Sequence, residues 1–589
     1  MLELMNELAA RAEIPLATIA RAKRPEFGDL QINAAMQLAR AEGKPPREIA
    51  QRIVAALTSD GGHEAIARAE IAGPGFVNVF VRDAWLAAHA PAALSVRKAA
   101  AGQRVVIDYS SPNVAKPMHI GHIRSTIIGE AIKRALVAVG YEVVADNHLG
   151  DWGTQFGKLI VAYRKWVDAE AFARQPVAEL LRLYIKFQEE EKKQSGAVAR
   201  PAQGAIDEED DDGAAVTPLM AEARAELVKL QQGDAENHAL WQQFVDASMS
   251  EFNRVYRRLG VRFDVMLGES FYNDRLAGTI EQLLQRGIAE ESRGALVVFF
   301  PKPNAAPAPP GAERDDEMPP AIVRKADGGF NYATTDVAGM LYRVERWHPA
   351  RIIILTDERQ QLHFRQLFAI ARRLEVDCSL EHVWFGLMRL PEGTISTREG
   401  KLIGLEALLD EAESRALEVA RAHSEGLGDE ELREVARIVG LGAVKYNDLS
   451  KDRQTLVTFT WDKALSLSGN SGPYLQYAYA RIQSILRKGA AEGAGPGPVG
   501  ALLSSERALL IKLYDFGAAV EAVAAQTRPH LLCDYLYDLA GAFSTFYGEH
   551  QVLKAEPAVR ASRLMLCQLT ARALKDGLDL LGIEVLDRM

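Results

Sequence analysis

The stretch from Arg104 to Gly140 constrains the fold more than any other, because it reads as a strand, a loop and a helix in immediate succession. Arg104 to Tyr109 is a short apolar run between Gly102 and Ser110-Ser111-Pro112, which suits a strand buried on both faces of a parallel sheet. Polar residues and prolines to Pro117 make a loop, and Gly121 to Val139 then carries apolar residues at helical spacing. His119 and His122 therefore fall at a helix N-terminus, three residues apart and on one face. Unpaired backbone N–H groups and the positive end of the helix dipole draw phosphate to such a place. Elementary physics predicts an anion site at the carboxyl end of this strand.

A chain of 589 residues is too long for one core and implies three or four domains. No apolar run approaches the roughly 20 residues of a membrane span, and Met1 to Arg24 lacks the pattern of a secretory signal, so a cytoplasmic protein without membrane contact is expected. The cysteines, Cys378, Cys533 and Cys567, lie far apart without a CxxC pair, which points to neither a disulfide framework nor a protein-bound metal. Net charge is −10, but Asp207 to Asp212 supplies six of those negative charges. From Ala464 onward twelve Lys plus Arg balance twelve Asp plus Glu, which permits RNA contact.

Residues 1–95 read as a small α/β unit, with helical patterns to Arg40 and from Pro45-Pro46 to Leu57, and one strand over Ala72 to Val81. Residues 96–385 read as the nucleotide-binding domain. Its later strands are Tyr141 to Ala145 and Arg351 to Thr356, and its helical insertion spans Leu159 to Lys193 and Met220 to Leu259 around a disordered acidic insert at 194–217. Pro301 to Pro320 is expected to be an exposed loop. Residues 386–463 hold a glycine-flanked loop with cations and hydroxyls, then a helical pattern from Leu405 to Tyr446. Residues 464–589 are almost wholly helical after the break at Ser468 to Pro473. No Walker-type GxxxxGK[ST] is present, which disfavours a P-loop NTPase.

His119-Ile-Gly-His122 matches the HIGH signature of class I aminoacyl-tRNA synthetases. Its flanks, Ser-Ser-Pro-Asn-Val-Ala-Lys before and Arg-Ser after, together with Gly150-Asp-Trp-Gly-Thr-Gln-Phe-Gly157, resemble arginyl-tRNA synthetases. The GDLQ and GPGFVNVF segments resemble that family's N-terminal domain, and Gly472 to Ile482 resembles the entry to its helical anticodon-binding bundle. The resemblance implies a multidomain chain: a Rossmann-type α/β catalytic domain, a small α/β N-terminal domain touching tRNA, and an all-α C-terminal bundle. It also implies a ligase that joins L-arginine to tRNA(Arg) through an arginyl-adenylate, with ATP as substrate and Mg2+ arriving on the ATP. A monomer is expected.

The same resemblance assigns roles. His119 and His122 would donate to the triphosphate, Gly121 would let the nucleotide approach the helix, and His122 would also face arginine. The family's second signature, usually Lys-Met-Ser-Lys-Ser, aligns with Thr394-Ile-Ser-Thr-Arg398, and both lysines are missing. Lys116 would take over the lost charge, with Arg398 as a second cation and Ser396 and Thr397 on ATP. The arginine-binding pattern falls on Ser111, Asn113, Glu269, Tyr332, Asp336 and Gln360. Taken singly, Asp336 reads as a helix cap or first-turn acid, Tyr332 as strand core and Glu269 as a surface acid. A guanidinium, with five fixed donors, wants such carboxylates and acceptors around it.

Overall fold

The computed structural model describes every residue except 23, 60, 196–216, 301–317, 327, 390–403 and 424–425. Most of the insert at 194–217, most of the proline-rich loop, and Ser396, Thr397 and Arg398 of the signature loop therefore lie outside the described residues; Gln194 and Ser195 end one helix and Thr217 caps the next. The chain divides into two compact units, Ala99–Leu465 and a second made of Met1–Lys98 with Ser466–Met589.

The first unit is built on a four-stranded parallel sheet of β1 (Arg104–Asp108), β2 (Glu142–Asp146), β3 (Arg351–Asp357) and β4 (Ser379–Phe385). Their order across the sheet is β4-β3-β1-β2, with Asp108 opposite Asp146 and Ile354. The chain thus adds β2 on one side of β1 and β3 on the other. Between β1 and β3 lies the switch point where the loops part, and open parallel sheets bind ligands there, at the carboxyl ends of the strands. The helix after the HIGH motif, α1 (Ile120–Ala138), covers one face. Helix α2 (Ala235–Leu259) closes the helical insertion, while α3 (Tyr332–Trp347) and α4 (Gln361–Arg373) pack their apolar residues Val337, Met340, Phe364, Leu367 and Ile370 with Val106, Ile352 and Ile354 of the sheet. Helix α5 (Asp429–Leu449) packs antiparallel-hairpin fashion with Leu405–His423.

Several expected elements are broken where polar signals outweigh the helical period. The pattern from Leu159 to Lys193 is three helices, Thr154–Trp166, Ala169–Arg174 and Pro176–Ser195. Asp168 caps the second, its side chain accepting from the N–H groups of Glu170 and Ala171, and Pro176 starts the third. Asp234 likewise caps α2 and separates it from Pro218–Gln231. The single strand expected over Ala72 to Val81 is a turn followed by Phe76–Val81, because Gly73 and Gly75 take φ of 54° and 152° and fold the chain back on Ile66–Ala72.

In the second unit, residues 1–98 form an antiparallel sheet, and five long helices from Gly472 to Leu580 form the bundle. Arg507 ties these parts together: its guanidinium donates to both carboxylate oxygens of Asp29 at 2.9 and 2.8 Å and to Asp83 at 2.6 Å. Tyr514 donates to the carbonyl of Leu86 at 2.9 Å.

Candidate active site

The loop leaving β1 is strained and pinned. Ser110 and Ser111 carry φ of 76° and 46° in succession, a left-handed conformation that costs a non-glycine residue about 1 kcal/mol each. Side chains from three other segments hold it. Ser110 N–H donates to Ser125 Oγ at 2.9 Å, Ser110 Oγ pairs with Thr126 Oγ1 and Tyr256 Oη, and Ser111 N–H donates to Asn147 Oδ1 at 3.0 Å. The chain then runs beside Gly150, where a Cβ would come within 2.1 Å of Asn113 Oδ1, so no larger residue fits against Asn113.

This scaffold delivers His119 to the N-cap of α1. Its Nδ1 accepts from Gly121 N–H at 3.0 Å, and His122 Nδ1 accepts from His119 N–H at 3.1 Å. A Cβ at 121 would press on the His119 ring at 2.8 Å, so the glycine is required by the histidine itself as well as by any ligand. Burial, followed by the charges of Arg359 and Lys116, holds the His119 pKa below its ordinary value. Burial chiefly takes His122 down to about 3. Both rings are therefore neutral at physiological pH. Because each Nδ1 accepts from a backbone N–H, the proton of each sits on Nε2, and both rings present an Nε2–H donor. The Lys116 ammonium stands 4.8 Å over the Tyr184 ring and acts electrostatically on both histidines.

A second group gathers at the ends of β1 and β2. Arg343 of α3 donates to Asp108 at 2.6 Å and to Asp146 at 2.8 and 3.1 Å, and all three residues are buried. Ser111 Oγ donates to Asp108 at 3.0 Å, which ties this group to the strained loop. Two helical turns before Arg343 on the same face of α3, Asp336 receives His363 Nε2 on one oxygen at 2.5 Å and faces His148 Nε2 at 4.0 Å with the other. Burial would raise Asp336, but the hydrogen bond and charge of His363, with His148 and Arg343 behind it, leave its pKa lowered. Tyr332 lies four residues back on the same face, its ring 4.8 Å from that of His363.

Glu269 belongs to the same group. Its N–H donates to Leu149 at 3.0 Å, and Asp151 fixes the neighbouring residue by accepting from Ser270 N–H at 2.9 Å and Ser270 Oγ at 2.6 Å. Burial drives the Glu269 pKa up to about 7; Asp336 and Asp151 push it further while His148 opposes them. The arrangement combines a helix start carrying two neutral Nε2–H donors with a cluster of carboxylates whose cationic partners among the described residues are Arg343, His148 and His363.

Comparison with known proteins decides the family. The description "tRNA synthetases class I (R), catalytic domain" matches residues 89–461, "DALR anticodon binding domain" matches 475–589, and "Arginyl tRNA synthetase N terminal domain" matches 3–81. An arginine–tRNA ligase of Fusobacterium nucleatum is 40% identical, covering 99% of this chain and 97% of the relative, and one of Cellvibrio japonicus is 43% identical over 100% and 98%. The chain belongs to the arginyl-tRNA synthetase family. A solved Thermus thermophilus arginyl-tRNA synthetase superposes with a TM-score of 0.77 at 25% identity, covering 100% of this chain and 99% of that one. One from Plasmodium falciparum, 23% identical with a TM-score of 0.78 and covering 100% and 98%, shares the fold.

Within this synthetase, the structure brings Ser111, Glu269, Tyr332 and Asp336 into one neighbourhood and keeps Lys116 beside His119 and His122. Asn113 is held by the backbone bridge to Gly150, exposed, and Gln360 ends the single turn Glu358–Gln360 between β3 and α4. The plain readings fail at Tyr332, at Asp336 and at Glu269, which is half-buried rather than a surface acid. Tyr332 is not strand core: it opens α3 behind an Asn331 cap and is 57% exposed. Asp336 is neither the cap, which is Asn331, nor a first-turn acid, since the first turn of α3 holds none. Five residues escaped the sequence reading: Asp108, Asp146, His148, Arg343 and His363. The signal for Arg343 was its place seven residues after Asp336, on the polar stripe begun by Tyr332. The described chain on either side of 390–403 is fastened to α1. Buried Arg124 donates to the carbonyls of Gly386, Thr455 and Arg453, while Gly404 bridges His119 and Leu405 N–H donates to Met118 at 2.9 Å.

Proposed function

We propose that this chain is an arginine–tRNA ligase whose crevice divides its labour between the helix cap and the acid cluster. The substrates are L-arginine, ATP and tRNA(Arg). The arginine carboxylate attacks the α-phosphorus of ATP, the bond to the β-phosphate oxygen breaks, and pyrophosphate leaves. A hydroxyl of the terminal tRNA ribose then attacks the arginyl carbonyl, its proton passes to solvent or to the released phosphate, and AMP leaves. Such chemistry needs charge neutralised and atoms aligned more than covalent help. The Nε2–H groups of His119 and His122 hold the phosphates, Gly121 leaves room above the cap, and Lys116 supplies the cation on the transferring phosphate. Arg398 adds a second cation, with Ser396 and Thr397 on ATP. Mg2+ enters with the nucleotide.

Arginine lies with its guanidinium between Glu269 and Asp336, against Tyr332 and Gln360. Its α-amino and carboxylate end meets Ser111, Asn113 and His122. Residues 1–95 touch the outer corner of the tRNA, residues 464–589 hold its anticodon, and 96–385 and 386–463 carry the chemistry and the signature loop. The protein works as a monomer in the cytoplasm. Among the described residues no helix is long and apolar enough to cross a membrane.

The observation that carries this reading is the convergence of Glu269 and Asp336 on His148. ATP–pyrophosphate exchange with each amino acid, with and without tRNA, tests it. Exchange with L-arginine alone is expected, and exchange with another amino acid in its place would overturn it.

A further inference from the structure

His148 sits where the acid cluster is densest. It follows Asp146 at the end of β2 and is faced by Asp336 and Arg343 from α3, Glu269 from the turn before Asn273, Asp108 from β1 and Asp151 from its own loop, with the Tyr272 ring 5.7 Å away. Its ring geometry fixes its protons. Nδ1 lies 3.0 Å from the carbonyl oxygen of Leu267, and a carbonyl only accepts, so Nδ1 carries a proton. Nε2 points at a carboxylate oxygen of Asp336, 4.0 Å away. A neutral ring in this position would aim a lone pair at a carboxylate.

The carboxylates around it are unequally served. Arg343 is committed to Asp108 and Asp146, and His363 covers one oxygen of Asp336. Among the described residues the second oxygen of Asp336 has His148 as its nearest cationic partner, and His148 is the opposing charge that acts most strongly on Glu269. These are the two acids assigned to the substrate guanidinium.

Resting on the arginine-site reading above, we infer that His148 is a specificity-determining residue: an imidazolium that stands in for the guanidinium in the empty site and gives up its Nε2 proton when arginine enters. The N–H bond breaks with its electron pair left on nitrogen, and the proton goes to buffer. The raised pKa of His148 fits this, since Asp108, Asp336 and Glu269 outweigh burial and Arg343. The arrangement favours a full cation over a neutral isostere of the same shape, because only a cation compensates the acids once the imidazole is neutral. It also spares Asp336 and Glu269 from facing each other uncompensated in the free enzyme.

Calorimetric titration of L-arginine into the full chain at pH 7, with tRNA present and in two buffers of widely different ionisation enthalpy, counts the protons released. Glu269, on which His148 acts, also contributes to that count, so both forms carry Glu269→Gln, and the difference between that form and the same form with His148→Asn isolates His148. A loss of about half a proton or more in the variant is expected, and equal counts overturn the inference. Should the variant fail to fold, histidine-selective 15N spectra of the wild type decide it. One ring passing from imidazolium to neutral as arginine saturates supports the inference, and none doing so overturns it. If arginine gives no heat and no spectral change in the wild type, the arginine-site reading itself falls, and the inference with it.

Discussion

The two halves of the crevice are built by opposite electrostatic rules. At the start of α1 the protein removes charge: burial leaves His119 and His122 neutral, with Nε2–H donors where the proposed reading puts the phosphates. Around the carboxyl ends of β1 and β2 and the start of α3 it accumulates charge, setting the carboxylates of Asp108, Asp146, Asp151, Glu269 and Asp336 among Arg343, His148 and His363. The first half would repel nothing as the triphosphate's own charge changes during reaction. The second is costly while empty, since like charges in a buried site raise one another's pKa. On the proposed reading, nucleotide recognition in this chain relies on dipoles and donors, whereas amino-acid choice relies on buried charge whose partner is the substrate.

The sharpest way to break this contrast is to neutralise the acid half alone. Asp336→Asn should lower kcat/KM for arginine by about a thousandfold or more, because a site built for a hydrogen-bonded ion loses heavily when one partner is removed. The KM for ATP should stay within about twofold in pyrophosphate exchange. Striking the other half should give the converse. Lys116→Ala should cut the exchange rate by about a hundredfold while arginine affinity, measured by calorimetry, changes less than about threefold. Equal effects on both would remove Lys116 from the phosphate half.

A change outside the crevice supplies the control. Arg507→Ala strips a partly buried guanidinium from Asp29 and Asp83 and should lower stability by about 1 to 3 kcal/mol, read as a drop in Tm. Arginine-dependent exchange at saturating tRNA should remain within about twofold.

The smallest effect is a pH dependence confined to the acid half. Glu269 holds its proton up to about 7, so arginine KM should rise as pH falls below that value, by at most about tenfold per unit. Glu269→Gln should flatten the slope; an unchanged slope would exclude Glu269 from the guanidinium site. The same shift has a stability consequence. Between its ordinary value of 4.5 and about 7 the folded chain keeps a proton that the unfolded chain has lost. The free enzyme is therefore stabilised most below that window and loses up to about 1.4 kcal/mol per unit across it as pH rises. Glu269→Gln should accordingly unfold at a higher temperature than wild type at pH 8.

The helix cap could be read directly from sequence because its signal is local: an apolar run, a loop and a helical period within forty residues set both the sheet position and the histidine pair. The acid half was only partly legible. Its members come from residues 108 to 363, and without the family resemblance Glu269 and Asp336 look like ordinary surface or helix-start acids. Arg343 and His148 acquire meaning only when β1, β2 and α3 bring them together, a long-range fact that no short window contains. The breaks at Asp168 and Asp234 were different: their capping signals were present, but a continuous apolar period masked them.

The division of the crevice is tested most directly by a structure of the full chain with L-arginine and a non-hydrolysable ATP analogue. The guanidinium is expected between the carboxylates of Glu269 and Asp336, at hydrogen-bonding distance of about 3 Å, with the phosphates against Nε2 of His119 and His122. A guanidinium bound away from both acids, or phosphates seated among them, would contradict the account.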